Sequence, residues 1–173
     1  MCELTESSVV WTGVEDSGAA GKDLGRQIRE QLGGNAPDAV ILFVSPRYDP
    51  AKLLNAIKDA CMPKAMMGCS SAGEFTSDSQ GVGHASAIAI RSSEMKFACA
   101  MGRGLHKDRA SVAQEIVGSF KGVGTSGPAY KSALILTDAL AGHADELIEQ
   151  LTVLTGGNYL EHFVVPCSIL NWF

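Results

Sequence analysis

The sequence predicts an α/β fold, in which helices pack on a mixed β-sheet that includes an antiparallel hairpin, with an α+β arrangement as the alternative. Apolar runs of strand length alternate along the chain with segments whose apolar residues recur at helical spacing. The hydrophobic fraction is 46% over 173 residues, which suffices for one domain with a well-buried sheet. The hairpin, predicted between helical units, argues against a purely parallel, doubly wound sheet.

Strands and helices are predicted to alternate in the first half of the chain. A helix over residues 17–33 begins at Ser17 as its N-cap, and its apolar residues lie four apart on one face: Leu24, Ile28 and Leu32. The apolar run 39–44 predicts a central strand covered on both faces. The other predicted elements are a strand over 7–13, a helix over 51–60 that Pro50 starts and whose Leu53, Leu54 and Ile57 face the core, and a strand over 64–68.

The second half is predicted to contain a hairpin and further helices. Residues 80–83 are too rich in glycine for regular structure and are predicted to form a turn. Strands over 85–92 and 95–101 would form the antiparallel hairpin. The other predicted elements are a helix over 108–120, a loop over 122–128, a strand over 133–137, a helix over 145–154 with Leu147, Ile148, Leu151 and Leu154 inward, and a closing strand over 163–165.

Composition and charge argue against several functional classes. A net charge of −5 with scattered basic residues disfavours nucleic-acid binding. No apolar run approaches the ~20 residues of a membrane span, and the first residues lack a signal-peptide pattern, so we predict a cytoplasmic protein without membrane contact. The 5 cysteines include no Cys-x-x-Cys pair, which predicts reduced thiols and no metal site, with Cys99 filling the core.

A small polar segment follows the apolar run 65–67 and is the most informative stretch of the chain. It reads Met-Gly-Cys-Ser-Ser-Ala-Gly-Glu-Phe-Thr over residues 67–76, and Gly68 and Gly73 permit tight backbone geometry. A polar loop at the end of a buried strand is a common ligand site in α/β proteins. The alternative is an ordinary turn, in which Ser and Glu side chains bind local backbone groups.

Residues 68–74, Gly-Cys-Ser-Ser-Ala-Gly-Glu, resemble the signature of FIST domains, a family of sensory input modules in bacterial signal-transduction proteins. Segments 38–49, 83–90 and 134–147 resemble the same family in the same order, and the resemblance covers about residues 7–159. It implies an N-terminal FIST-like domain over 1–159, followed over 160–173 by an atypical apolar tail where the family's C-terminal half is expected. The chain also carries Asp138-Ala139 where relatives commonly have Asp-Gly.

Three polar clusters follow predicted strands and are expected to converge at one end of the sheet. They cover residues 45–49, 69–74 and 137–143. Arg47 would bind a ligand carboxylate, although a surface ion pair with Asp49 is the alternative. Glu74 and Asp138 would hold a ligand ammonium, which suits the amino-acid ligand that the resemblance implies. The full predicted ligand-binding set is Arg47, Gly68, Cys69, Ser70, Ser71, Gly73, Glu74, Asp138 and His143.

Catalysis is predicted to be absent, with a remote alternative in which Cys69 or Ser70 is a nucleophile assisted by His143. No nucleophile-elbow pattern supports that triad. No cofactor is expected, but the family resemblance also implies a haem-binding nitric-oxide sensor as an alternative, for which no motif singles out a histidine. The expected partners are a small-molecule ligand, a signalling protein and a second copy of the chain, in a homodimer formed through residues 163–173 or an adjacent sheet edge.

Overall fold

The computed structural model describes residues 5–71, 73–77, 80–120, 130–138, 142, 144–159 and 161–167, with the backbone alone at 74, 75, 80 and 161–167. The described chain divides into two compact units, the first ending at Phe97 and the second beginning at Ala98. Among the described residues, no helix is long and apolar enough to cross a membrane.

The first unit is built on a four-stranded mixed sheet, which confirms the predicted α/β fold class. Its strands are β1 (Thr5–Thr12), β2 (Ala39–Val44), β3 (Ala65–Ser70) and β6 (Ala85–Ser92), in the order β1-β6-β2-β3. β6 is antiparallel to both β1 and β2, whereas β2 and β3 are parallel. β1, β2 and β3 therefore all run in the same direction.

Two helices cover one face of this sheet, α1 (Ser17–Gln31) and α2 (Pro50–Cys61). The N-cap of α1 is Asp16, whose carboxylate accepts from the Ala19 amide at 2.7 Å. The prediction of Ser17 as the cap was wrong, because the Ser17 hydroxyl accepts from the Asp49 amide at 2.9 Å instead. The core between helices and sheet comprises Val10, Ala20, Leu24, Ile28, Leu32, Val40, Leu42, Val44, Tyr48, Leu53, Leu54, Ile57, Cys61, Ala85, Ala87 and Ala89.

The opposite face of the sheet is only partly covered. In β2, Val40 and Leu42 are buried but Ile41 and Phe43 are partly exposed, so the strand is central but not fully covered on both faces as predicted. On the same open face, Val9 of β1 is 49% exposed and Ile88 of β6 is 37% exposed. Period-two alternation explains this pattern, since neighbouring residues of a strand point to opposite faces.

The predicted hairpin over 85–92 and 95–101 was wrong in its second strand. Residues 95–101 contain no strand, because β6 already has β1 and β2 as partners on its two sides. Cys99, predicted to fill the core, is exposed. A short antiparallel hairpin occurs instead between β4 (Glu74–Phe75) and β5 (Gln80–Gly81), so residues 80–83 include strand structure that their glycine content did not predict.

The second unit contains α3 (Arg109–Ser119), β7 (Ser132–Asp138), α4 (Ala144–Leu154) and β8 (Glu161–Cys167). β7 and β8 are parallel, with α4 connecting them, and the predicted closing strand lies within β8. α3 and α4 share a small core of Val112, Ala113, Leu147 and Leu151. Leu154, predicted to face inward, is 40% exposed because it is the last residue of its helix. The predicted loop 122–128 and residues 160 and 168–173 of the tail lie outside the described residues.

Candidate functional site

The carboxyl ends of β1, β2 and β3 meet at one edge of the sheet, together with the start of β6. Backbone hydrogen bonds continue the sheet order past the strand ends: the Ser45 amide donates to the His84 carbonyl at 2.9 Å, and the Ser71 amide donates to the Val44 carbonyl at 3.0 Å. Ser45 of the first predicted polar cluster and Ser71 of the second therefore lie at neighbouring strand ends. Open α/β sheets commonly bind ligands at this edge.

Arg47 lies at this edge with its side chain held in one orientation. Its Nη2 donates to the Gly13 carbonyl at 3.1 Å and to the Tyr48 hydroxyl at 2.9 Å, and its Cζ lies 4.8 Å from the Tyr48 ring centroid. Tyr48 is buried and in turn donates to the Val14 carbonyl at 2.8 Å. The buried Tyr48, itself held by a hydrogen bond, therefore orients the exposed guanidinium of Arg47.

The predicted alternative for Arg47, an ion pair with Asp49, does not form. The Asp49 carboxylate instead caps α2 by accepting from the Lys52 amide at 3.1 Å. Among the described residues, no carboxylate pairs with Arg47, and only its Nη2 has hydrogen-bond acceptors. Nε and Nη1 have no acceptor within the described part of the chain and can donate to a further group.

The glycine-cysteine-serine motif begins inside β3 rather than in a loop. Cys69 and Ser70 are the last two strand residues, and each is only 1% exposed. Gly68 has no room for a side chain, since a Cβ there would lie 2.7 Å from the Leu42 Cβ on the neighbouring strand. Ser71 and Gly73 are the accessible part of the motif at the strand end.

The other three predicted site residues belong to other elements of the chain or lie outside the described residues. Glu74 belongs to β4, where its backbone pairs with Gly81. Asp138 ends β7 in the second unit and is partly exposed. His143 lies outside the described residues. Their roles in ligand binding stay predictions.

The structure also places residues at this edge that the sequence did not single out. An open groove of about 660 Å³ runs beside the end of β1. Its lining residues are Trp11, Thr12, Gly13, Val14, Asp23, Arg26, Gln27 and His84. Their position in the sequence was the only signal, because Gly13 ends a predicted strand and His84 directly precedes one.

One groove carboxylate is already fully engaged by its neighbours. Asp23 accepts from the Thr12 hydroxyl at 2.8 Å, the Gln27 amide at 3.0 Å and the Arg26 guanidinium at 2.7 Å. Burial raises the pKa of Asp23, but the hydrogen bonds from Arg26, Thr12 and Gln27 outweigh it, and the pKa lies below its ordinary value. Asp23 therefore stays ionised and organises the groove wall.

Metal and thiol chemistry find little support in the described part of the chain. No group of three His, Cys, Asp or Glu side chains there could hold a metal ion. Burial raises the pKa of the Cys61 thiol to about 11, so at neutral pH it is a protonated core residue.

Comparisons with known proteins give one match. No curated protein and no solved structure matches the chain. The family model of the FIST N domain matches residues 38–160, which is most of the chain and includes both strand-end clusters of the first unit. β1 and α1 lie before the matched segment. The chain belongs to the FIST N domain family, a family of sensory domains in signal transduction rather than of enzymes.

Proposed function

We propose that this chain captures a small polar metabolite with a carboxylate group, such as an amino acid, and passes the resulting change to a signalling partner. The observation that carries this proposal is Arg47, an oriented guanidinium at the convergent strand ends with no carboxylate partner among the described residues. Nε and Nη1 each keep an N–H that can donate a charge-assisted hydrogen bond to a carboxylate oxygen, and the permanent positive charge of the guanidinium favours an anionic group.

The orientation of Arg47 lowers the cost of binding. Its contacts with Gly13 and Tyr48 restrict the side chain before a ligand arrives, so less side-chain entropy remains to be lost. Ser71, at the end of the neighbouring strand, is a hydroxyl candidate for a second ligand contact. The ammonium of an amino acid would bind Glu74, one of the two carboxylates that the sequence predicted for it.

The enzymatic alternative has weaker support. A nucleophile must reach its substrate, and Cys69 and Ser70 are each only 1% exposed within β3. The haem alternative rests on the family resemblance alone. A binding module is therefore the function that the geometry of the first unit favours.

A thermal-shift screen of amino acids and small carboxylates tests this function. A ligand at 100 times its dissociation constant stabilises the folded state by about 2.7 kcal/mol. For a chain of this size, that corresponds to a rise in melting temperature of about 5–10 °C. The shift should be lost in Arg47→Gln, because the neutral amide cannot form an ion pair with a carboxylate.

Arg91→Gln is the matched control, since Arg91 pairs with Glu6 at 2.9 Å near the other end of β6, away from the strand-end edge. This variant should keep the full ligand-induced shift. An equal ligand response in Arg47→Gln and the wild type, or no response to any compound, would contradict the proposed function.

A further inference from the structure

We propose that Trp11 and His84 form an aromatic platform beside Arg47 that makes the site selective for carboxylates bearing an aromatic side chain. This inference rests on the proposed function and specifies its ligand class. The two rings have centroids 5.3 Å apart with planes inclined at 32°, and Trp11 remains 38% exposed although it is a large apolar side chain.

The position of the His84 ring is set by two glycines. A Cβ at Gly13 would lie 3.3 Å from the imidazole, and a Cβ at Gly81 would overlap it. These two positions lack side chains where the ring packs, so the imidazole lies directly against the backbone. His84 in turn supports Trp11 from one side, and the platform is therefore in place before a ligand binds.

Gly13 links the platform to the cation. The Gly13 carbonyl accepts a hydrogen bond from Arg47 Nη2 at 3.1 Å. The Gly13 Cα packs against the His84 ring, on the side where another residue would carry its Cβ. A carboxylate oxygen bonded to Nη1 or Nε of Arg47 would bring the rest of a small ligand close to the rings, since Gly13 contacts both Arg47 and His84. The groove beside β1, which Trp11 and His84 both line, leaves open space for that side chain.

A ligand with an aromatic side chain suits this arrangement better than one with a small or charged side chain. An offset or tilted ring contact adds affinity beyond the apolar area that it buries, and an exposed indole gains by covering its face. We expect L-phenylalanine to bind about tenfold more tightly than L-alanine, which is the ratio that ring stacking and burial typically produce. 2-Phenylethylamine, which has the ring but no carboxylate, should bind much more weakly than L-phenylalanine.

Isothermal titration calorimetry on the full chain with these three probes tests the proposal. Trp11→Leu keeps apolar bulk but removes the planar ring. In this variant phenylalanine and alanine should bind with about equal affinity, and the affinity for alanine should match that of the wild type. Val9→Leu is the control, because Val9 lies on the same strand and the same sheet face and receives the same new side chain. It should keep the tenfold preference.

Each other outcome has a definite meaning. Equal binding of both amino acids to the wild type, with loss of both in Arg47→Gln, overturns the aromatic platform and leaves the proposed function standing. A loss of preference in Val9→Leu equal to that in Trp11→Leu also overturns the platform, because the effect would then belong to the sheet face in general. Absence of binding by either amino acid, or equally tight binding of 2-phenylethylamine, overturns the carboxylate site and the platform together.

Discussion

The packing of α1 against α2 depends on glycine at position 21, and its substitution by alanine offers a sharp test of the first unit. A Cβ at Gly21 would lie 2.7 Å from the Ala56 Cβ and would also collide with the Leu53 carbonyl oxygen. One of these obstacles is helix backbone, which cannot rotate away as a side chain can. The helices would have to separate by about 1 Å to restore an ordinary carbon–carbon contact.

The magnitude follows from two opposing contributions. Overpacking a close contact costs about 1–3 kcal/mol. Alanine in place of glycine gains about 1 kcal/mol of helix propensity, and this partly offsets the clash. We expect Gly21→Ala to lower the free energy of unfolding by about 1–2 kcal/mol.

Gly18→Ala in the same helix is the matched control. The nearest atom to a Cβ there is an Asp16 carboxylate oxygen at 3.4 Å, an ordinary contact. This variant should therefore be neutral or stabilised by up to about 1 kcal/mol. Urea denaturation followed by circular dichroism compares both variants with the wild type, and stabilisation of Gly21→Ala similar to that of Gly18→Ala would refute the close helix packing.

Two further predictions concern charge and thiol reactivity. Asp38→Asn should destabilise the protein at neutral pH, because hydrogen bonds from Lys64 and the Ser92 amide hold the pKa of Asp38 below its ordinary value of 3.8. That stabilisation is present above the unfolded-state pKa and lost as the pH falls through the lower folded-state pKa. Urea denaturation should therefore show the free energies of unfolding of the wild type and the variant converging in acid. A difference between them that does not change with pH would contradict the prediction. Labelling with iodoacetamide, read by peptide mass spectrometry, should modify the exposed Cys99 well before the buried Cys61 and Cys69, even though partial burial raises the pKa of Cys99 as well. Rapid modification of Cys69 would instead support the nucleophile hypothesis.

Local patterns in the sequence were enough to locate most of the helices and strands. The apolar run of β2, the four-residue spacing in α1 and the proline that begins α2 each depend on residues close together in the chain. The same holds for the family, because residues 68–74 and the segments around them are recognisable as linear motifs. Arg47 was also identified from the sequence alone, since it lies in the polar cluster that follows a buried strand.

Strand pairing and the composition of the site depended on tertiary structure. The sequence analysis paired β6 with the next predicted strand, residues 95–101. In the fold, β6 pairs instead with β1 and β2, and the Thr5–Ser92 contact joins residues 87 positions apart. The Gly13–Arg47 hydrogen bond and the Trp11–His84 ring contact form only because β6 lies between β1 and β2. Short-range periodicity records which residues of a segment are buried, but not which distant segment buries them. The edge at which ligand binding is proposed is made of such long-range contacts, so only the folded chain could assemble it.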